Sequence, residues 1–274
     1  MSSSNPPSDG SAGGAPAVPR TALVTGAGGG GVGTAVAHRL ARTHHVLLNG
    51  APRHLPALEE LAAAIRAAGG SAEPLVADVT DRDGLRAALA GRPVDAFVHN
   101  AAPSLPHRPV HLLSPADWRG DVEPVLGGAL NGVGLVAPGM IERGTGRIVL
   151  VSSSAAFRGT FGRSASYAAA KAALHGLVAQ LALELGPYGI TANAVAPSQV
   201  ATPRALRGGR RTPESLSRQA AAVPLRRVGE PDDVASLIAY LCGAPAGYLT
   251  GQVIRIDGGS SLASPTTMTT EMNT

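Results

Sequence analysis

Tyr167 and Lys171 are the residues of this sequence that most directly suggest chemistry, and they lie four positions apart in the stretch SASYAAAKAAL. Lys171 is the only lysine in the chain, which uses arginine at every other basic position. Residues four apart in a helix share a face, so the phenol and the ammonium would enter the same cleft. A neighbouring ammonium lowers the pKa of a phenol and so suits a tyrosine to proton transfer. From this short pattern alone, a single helical lysine that occurs by chance is an equally good interpretation.

A second candidate site is the glycine-rich stretch TGAGGGGVGTAVAHRL, which follows directly on the predicted strand TALVT. Glycines let the backbone approach a ligand closely, and the free N–H groups at the start of the following helix attract an anion. This order of strand, glycine turn and helix predicts a dinucleotide site, with Gly26, Gly31, Val32 and Gly33 at the pyrophosphate. A flexible glycine turn without a ligand is the alternative.

The end of the next predicted strand, HVLLN, indicates which dinucleotide would bind. An acidic residue here would accept hydrogen bonds from a ribose 2′-hydroxyl and repel a 2′-phosphate, and the stretch LLNGAPRH contains none. Arg53 instead offers a guanidinium to a 2′-phosphate. These residues predict NADP(H) rather than NAD(H), unless Arg53 is only an exposed residue at the start of a helix.

The elements that must position these residues alternate between short apolar strands and longer helical patterns. The stretch HLPALEELAAAIRAAGG has apolar residues at helical spacing and ends at a glycine pair, and a second helix is predicted from Trp118 to Met140 despite its glycines. The predicted strands are TALVT, HVLLN, AFVHN, RIVLVS and QVIRI. Such alternation predicts an α/β fold with a single domain, a Rossmann-type doubly wound parallel β-sheet flanked by helices.

The domain is expected to span residues 20–262. The first 19 residues are rich in Ser, Gly and Pro, and residues 263–274 are similarly polar, so both ends are expected to be disordered tails. The net charge of +4 and the 3% of aromatic residues argue against a nucleic-acid partner. No apolar run reaches the roughly 18 residues of a membrane span, and no metal-ligand spacing occurs. The single cysteine, Cys242, fits a reducing compartment, so we expect a cytoplasmic protein.

Together these motifs resemble the short-chain dehydrogenase/reductase family, and within it ketoreductases similar to 3-oxoacyl-ACP reductase. The resemblance covers about Thr21 to Gly259 and includes ADVTD, HNAA, NAVAPSQVATP, PLRRVGEPDDVA and YLTGQVIRIDGG. The cofactor contacts that it implies are Asp78 and Val79 at the adenine, Asn100 and Ala101 in the groove, Val200 and Thr202 at the nicotinamide carboxamide, Pro197 on the same wall, and Tyr167 and Lys171.

The resemblance also implies roles in the reduction of a ketone. Tyr167 would protonate the substrate oxygen, and Lys171 would stabilise the tyrosinate and hold the nicotinamide ribose. A serine of VSSSAAFRG would orient the carbonyl, but counting forward from the strand points to Ser153 and counting back from Tyr167 points to Ser154. Ser153 is preferred because loops absorb insertions more readily than strands. Ser152 is expected to cap the backbone at the strand end.

Three other positions depart from the family pattern. The glycine loop is one residue longer than usual, and the usual Asn-Ala-Gly after the strand AFVHN reads Asn100-Ala101-Ala102. Val125 stands where many members have a helix asparagine that completes a proton relay, and Asn131 is not in register with that position. The loss of this asparagine affects the expected proton route rather than the hydride chemistry.

We expect NADPH-dependent reduction of a small-molecule ketone, free or linked to a carrier protein, in fatty-acyl or specialised metabolism such as polyketide formation. A non-catalytic NADP-binding sensor or scaffold, and a dehydratase or epimerase using the same cleft, are the alternatives. His107 and His111 could contact the substrate. The family resemblance further implies a homo-oligomer, a tetramer or a dimer. A substrate lid that docks an anionic carrier, or a solvated loop, is expected at the basic residues Arg204, Arg207, Arg210 and Arg211.

Overall fold

The computed structural model of the chain describes residues 20–103, 108–159, 164–202 and 212–262. Within these residues, seven parallel strands form one sheet in the order β3-β2-β1-β4-β5-β6-β7, which confirms the predicted doubly wound fold. The strands are β1 Arg20–Thr25, β2 His44–Gly50, β3 Ser71–Val76, β4 Ala96–His99, β5 Gly146–Val151, β6 Ile190–Pro197 and β7 Val253–Ile256. The two predicted tails lie outside the described residues.

Strands β3 and β6 were not predicted from the sequence pattern, and each has a physical reason for being missed. β3 contains Pro74, which lacks an N–H and is tolerated because β3 lies at the edge of the sheet. β6 is buried along its whole length although its sequence includes polar residues. Its Asn193 donates from Nδ2 to the Leu249 carbonyl at 2.8 Å and accepts from the Gln252 N–H, so the buried amide is satisfied.

Helices cover both faces of the sheet. Two buried apolar clusters lie between the described helices and the sheet: one under the helices Val32–Leu40, Leu55–Ala67 and Pro231–Cys242, and the other under Arg82–Leu89, Gly128–Arg143 and Ala165–Leu185. The predicted helix in HLPALEELAAAIRAAGG is confirmed as α2. The helices are α1 Val32–Leu40, α2 Leu55–Ala67, α3 Arg82–Leu89, α4 Pro115–Val122, α5 Gly128–Arg143, α6 Ala165–Leu185, α7 Pro213–Ala221 and α8 Pro231–Cys242.

Helices α4 and α5 form one continuous helix of 29 residues, joined by a π-helical turn at Glu123–Gly127. This confirms the predicted helix in the glycine-rich segment before Met140. Its glycines permit close packing: a Cβ on Gly128 would lie 2.8 Å from Val79 Cγ2. By length and composition the helix would also suit a membrane span, but its buried apolar side chains pack against the sheet.

The sheet reverses its strand order between β1 and β4, because β1 pairs with β2 on one side and with β4 on the other. In doubly wound sheets, the helices that follow the two strands leave on opposite faces and open a crevice at the carboxyl ends. The glycine loop follows β1 and Asn100 follows β4, so the fold places both at this crevice.

Candidate active site

A cavity of about 290 Å³ lies at the carboxyl ends of the central strands and extends from the glycine loop to α6. The predicted site residues that line it are Gly26, Gly31, Val32, Gly33, Asn100, Ser153, Tyr167, Lys171, Pro197, Val200 and Thr202. Those outside the lining are Arg53, Asp78, Val79, Ala101 and Ser154. The fold thus brings the glycine loop and the Tyr167 and Lys171 pair into one cavity.

The glycine loop accommodates its extra residue in a short 3-10 turn, Ala27–Gly29. Gly26 and Gly30 flank the turn with φ angles of 67° and 65°, in the left-handed region that favours glycine. Thr34 closes the loop: its Oγ1 donates to the Ala27 carbonyl at 2.6 Å and accepts from the Gly30 N–H at 3.1 Å. The longer spacing is therefore absorbed before the first turn of α1.

The glycine loop fits a nucleotide pyrophosphate. A Cβ on Gly33 would lie 2.5 Å from the Gly26 carbonyl oxygen and 2.6 Å from Asn100 Nδ2, so a larger residue is excluded. Gly31 precedes α1 without a side-chain cap, and the start of the helix therefore offers its N–H groups to a ligand. A Cβ on Gly29 would meet nothing within 4 Å, which leaves open space beside the helix start.

Tyr167 and Lys171 lie on one face of α6, as their spacing predicts. The Lys171 side chain is 2% exposed, and its Nζ donates to the Val151 carbonyl oxygen at 2.6 Å. The same Nζ lies 5.9 Å from the centre of the Tyr167 ring. The end of β5 thus holds the buried ammonium on the same side of α6 as the phenol, which favours the functional interpretation of Lys171 over chance.

The three serines after β5 have different surroundings. Ser153 lines the cavity, and its Oγ accepts a hydrogen bond from the Ala155 N–H at 3.2 Å. Ser154 begins the 3-10 turn Ser154–Ala156 that leads away from the cavity lining. Of the two serines that the sequence left open, Ser153 is therefore the one that lines the same cavity as Tyr167 and Lys171.

Ser152 links β5 to α6, which is a longer-range contact than the predicted cap at its own strand end. Its Oγ donates to the Lys171 carbonyl at 3.1 Å and lies 2.8 Å from His175 Nε2. Burial, together with the positive charge of Arg255, lowers the pKa of His175. A neutral His175 can therefore donate from Nε2 to Ser152, and these bonds hold the turn of α6 that carries Lys171.

Asp121 holds the first turn of α6 and is a site residue that the sequence analysis missed. Its carboxylate is buried at the end of α4 and accepts from Ser164 Oγ and Ser166 Oγ, each at 2.5 Å. Ser164 is also the N-cap of α6, because its Oγ accepts from the Tyr167 N–H at 3.2 Å. Both serines of the SASY stretch therefore fix the start of the helix that carries Tyr167.

Val125 packs in the apolar core within the π-turn. Its side chain is 0% exposed and belongs to the cluster between the sheet and helices α5 and α6. Asn131 lies more than one helical turn after Val125. Its Nδ2 donates to the Val79 carbonyl at 3.0 Å. Asn131 therefore supports the loop after β3, which the family resemblance assigns to the adenine, and takes no part in a relay at position 125.

The residues predicted at the adenosine end, Arg53, Asp78 and Val79, do not line the cavity. Asp78 Oδ1 accepts from the Thr80 N–H and hydroxyl, which shapes the loop after β3. Arg53 is exposed in the 3-10 turn Pro52–His54 after β2. Its neighbour His54 lines the cavity, and the sequence analysis missed it, because no spacing pattern distinguishes one histidine after a strand.

The other predicted substrate contacts lie outside the described residues or outside the cavity lining. The basic residues at 204, 207, 210 and 211, and the histidine at 107, lie outside the described residues. His111 is exposed in the 3-10 turn Val110–Leu112 and does not line the cavity. Within the described part of the chain, no group of three or more His, Cys, Asp and Glu side chains is arranged to hold a metal ion.

One protein-family model matches most of the chain. Residues 26–261 match the family model described as Enoyl-(Acyl carrier protein) reductase. The acetoacetyl-CoA reductase of Allochromatium vinosum is 35% identical over 246 residues, covering 88% of this chain and 98% of that protein. The short-chain reductase protein NovJ of Streptomyces niveus is 36% identical over 248 residues, covering 87% and 92%.

Solved structures show the same fold. A 3-oxoacyl-[acyl-carrier protein] reductase from Brucella melitensis with bound NAD superimposes with a TM-score of 0.81 at 33% identity, covering 89% of this chain and 92% of that one. A protein described as a putative NAD(P)-dependent gluconate 5-dehydrogenase from Beutenbergia cavernae, with bound NADP, gives a TM-score of 0.80 at 36% identity, covering 89% and 97%.

Proposed function

This chain belongs to the short-chain dehydrogenase/reductase family, and from that membership we propose that it reduces a ketone to an alcohol with NADPH. The observation that carries the proposal is the convergence of Ser153, Tyr167 and Lys171 in the cavity that begins at the glycine loop. A protein that only sensed or stored a nucleotide would have no need of a buried ammonium held beside a phenol at the far end of the cavity.

Each residue of the cavity would have a different role in such a reaction. When bound, the reduced nicotinamide supplies the hydride to the carbonyl carbon. Tyr167 donates its phenolic proton to the carbonyl oxygen, and the fixed charge of Lys171 stabilises the phenolate that remains. Ser153 donates a hydrogen bond to the same oxygen and orients the carbonyl. The cofactor would be held by the start of α1 at its pyrophosphate and by Lys171 at its ribose.

The substrate that we propose is a ketone on an acyl thioester, free or carrier-linked. Support comes from the relative named acetoacetyl-CoA reductase and from the similar structure named 3-oxoacyl-[acyl-carrier protein] reductase. The test is to incubate the protein with NADPH and acetoacetyl-CoA or a simple ketone, to follow the loss of NADPH absorbance, and to identify the alcohol by mass spectrometry. Cofactor binding without turnover on any ketone would favour the sensor or scaffold, and conversion without loss of NADPH would favour a dehydratase or epimerase.

We expect NADPH to bind at least about tenfold more tightly than NADH, roughly the 1.4 kcal/mol that one charge-assisted phosphate contact supplies. Arg53→Ala should remove most of this preference and leave the NADH affinity unchanged, because only the 2′-phosphate would contact the guanidinium. The measurement is the Kd of both cofactors by calorimetric titration. Arg86→Ala, which removes an exposed arginine of α3, is the control. An equal loss for NADPH and NADH in Arg53→Ala would mean that Arg53 is structural.

Val125→Asn is expected to leave kcat unchanged or to lower it. Because the Val125 side chain is fully buried among apolar residues, an amide there would lack hydrogen-bond partners, which costs about 1–3 kcal/mol of stability. We propose that protons reach Tyr167 without water held by a helix asparagine. The measurement is kcat against pH for both proteins, with the solvent isotope effect at the plateau. A several-fold gain in kcat together with a smaller isotope effect would contradict this proposal.

A further inference from the structure

His99 is a buried titratable residue that the proposed reaction does not use, and it is next in sequence to Asn100, which lines the cavity. It ends β4, directly before Asn100, and its side chain is 0% exposed. Its Nδ1 lies 3.1 Å from Thr25 Oγ1, and its Nε2 lies 3.0 Å from the Val125 carbonyl oxygen and 3.2 Å from that of Pro124. The imidazole therefore spans the space between the end of β1 and the π-turn.

Only one tautomer of His99 satisfies all the hydrogen bonds around its ring. Carbonyl oxygens accept and never donate, so Nε2 must carry the proton that faces Val125 and Pro124. Thr25 Oγ1 already accepts from the Asn100 N–H at 3.0 Å and from the Ala101 N–H at 3.1 Å. Both lone pairs of the hydroxyl are then used, so its own proton must point to Nδ1, which accepts it.

The surroundings of His99 keep this imidazole neutral. Burial, together with the positive charge of Lys171 on α6, lowers the pKa of His99 to about 3. A second proton on Nδ1 would also face the Thr25 hydroxyl and leave that hydroxyl without an acceptor. The hydrogen-bond geometry and the charge of Lys171 thus both favour the neutral imidazole with its proton on Nε2.

The Thr25 hydroxyl connects His99 to the residues that would hold the cofactor. Thr25 directly precedes Gly26, and Asn100 Nδ2 donates to the carbonyl oxygens of Thr25 at 3.2 Å and of Gly26 at 3.1 Å. Gly26 and Asn100 both line the cavity. If the Thr25 hydroxyl moved, the Asn100 and Ala101 N–H groups would lose their acceptor. Asn100 would then be held less firmly, and with it the Gly26 carbonyl that its side chain bonds.

The other end of the imidazole, Nε2, contacts the π-turn. Pro124 has no N–H, and the turn Glu123–Gly127 leaves the Pro124 and Val125 carbonyls facing His99. Gly128 lets the helix come close, since a Cβ there would lie 3.0 Å from His99 Cε1. The Val125 carbonyl is thus bonded to an imidazole, at the position where the side chain itself is apolar.

We propose that His99, as the neutral Nε2–H tautomer, is a positioning residue that couples the π-turn to the glycine loop and so sets the affinity of the cofactor site. The inference rests on the proposed function, because what it positions is the site for the cofactor. His99 contacts neither substrate nor cofactor in this role. It acts through Thr25 on one side and through the Val125 carbonyl on the other.

Three variants separate the two ends of the imidazole. His99→Asn retains an acceptor near Nδ1 but is too short to reach the Val125 carbonyl. His99→Gln retains a donor near Nε2 but loses the acceptor for the Thr25 hydroxyl. His99→Phe keeps a ring but loses both the acceptor and the donor. We expect NADPH to bind about tenfold more weakly to His99→Phe and His99→Gln, with His99→Asn between them and the wild type. The Kd is measured by calorimetry, so no turnover is needed.

His44→Phe is the matched control, because His44 is also buried but is the first residue of β2, whereas His99 is the last residue of β4. Its Nδ1 pairs with Thr43 Oγ1. His44→Phe should leave the Kd for NADPH unchanged, and melting temperatures of all four variants show which of them have merely lost stability. A His99→Phe variant that binds NADPH within twofold of the wild type would overturn the inference.

A nitrogen-15 NMR measurement of the imidazoles tests the tautomer without any cofactor. We expect His99 to show a protonated Nε2 and an unprotonated Nδ1, with no titration from about pH 5 to pH 8. A proton on Nδ1, or titration in this range, would overturn the inference. If the wild type binds no nicotinamide cofactor while the tautomer is as expected, the proposed function fails and the network itself stands.

Discussion

Tyr167→Phe is expected to lower kcat by about 10²- to 10⁴-fold, the usual contribution of a positioned general acid, while the Kd for NADPH stays within about twofold of the wild type. The substitution removes one oxygen from a partly buried side chain. The backbone N–H of residue 167 still donates to the Ser164 cap, so the start of α6 is preserved. The measurements are steady-state kinetics at saturating NADPH and a calorimetric titration of the same variant.

Tyr188→Phe is the matched control for this substitution, because Tyr188 is exposed in the 3-10 turn after α6. It should retain wild-type kcat. Retention of most activity in Tyr167→Phe would place the proton donor elsewhere and remove the role that we assign to Tyr167. A loss of both kcat and NADPH affinity would instead show that the hydroxyl is needed to build the site.

Lys171→Arg is expected to fold and to lose roughly 10²-fold in kcat, the scale that a misplacement of about 1 Å causes. The Lys171 ammonium is a compact charge that fits between the Val151 carbonyl and the Tyr167 ring. A guanidinium is a planar fork and cannot occupy the same buried point. Its charge would remain, so the comparison separates the position of the charge from its presence.

Three readouts interpret the Lys171→Arg variant. The pH dependence of kcat should differ from that of the wild type, because a more distant cation stabilises the phenolate less. Melting temperature and circular dichroism show whether the fold survives. Arg147→Lys, the reverse type of exchange on β5 at a partly buried site outside the cavity lining, is the control and should leave kcat unchanged. A kcat near the wild type in Lys171→Arg would mean that the chemistry has no specific need of lysine.

The features that the sequence predicted well are those that depend on local spacing. A period of four residues was enough to place Tyr167 and Lys171 on one face of α6, and a strand followed by glycines placed the start of α1 at the cavity. Amphipathic spacing likewise predicted α2. Each of these depends on neighbours within one or two helical turns, where periodicity carries the information.

The features that the sequence did not reveal depend on contacts between distant residues. Asp121 lies 43 residues before Ser164, and Thr25 lies 74 residues before His99. Ser152 was expected to cap its own strand end, and instead bonds to a carbonyl 19 residues ahead. No local pattern indicates such a partner, because the sheet brings these side chains together only after the strands have been ordered.

The homo-oligomeric state, the cytoplasmic location and the disorder of the two tails stay predictions. The basic segment before α7 was expected to form a lid over the substrate, and it lies outside the described residues. The catalytic roles of Ser153, Tyr167 and Lys171 belong to the proposal, which their common cavity supports.

The most direct test of the proposed function is the fate of a deuterium label. NADPH carrying deuterium on the nicotinamide carbon that donates hydride is incubated with the protein and acetoacetyl-CoA, and the alcohol product is examined by mass spectrometry. We expect one deuterium on the carbinol carbon with the wild type, and about 10²- to 10⁴-fold slower labelling with Tyr167→Phe. An unlabelled product from the wild type, or equal labelling rates in the two proteins, would contradict hydride transfer with Tyr167 as the proton donor.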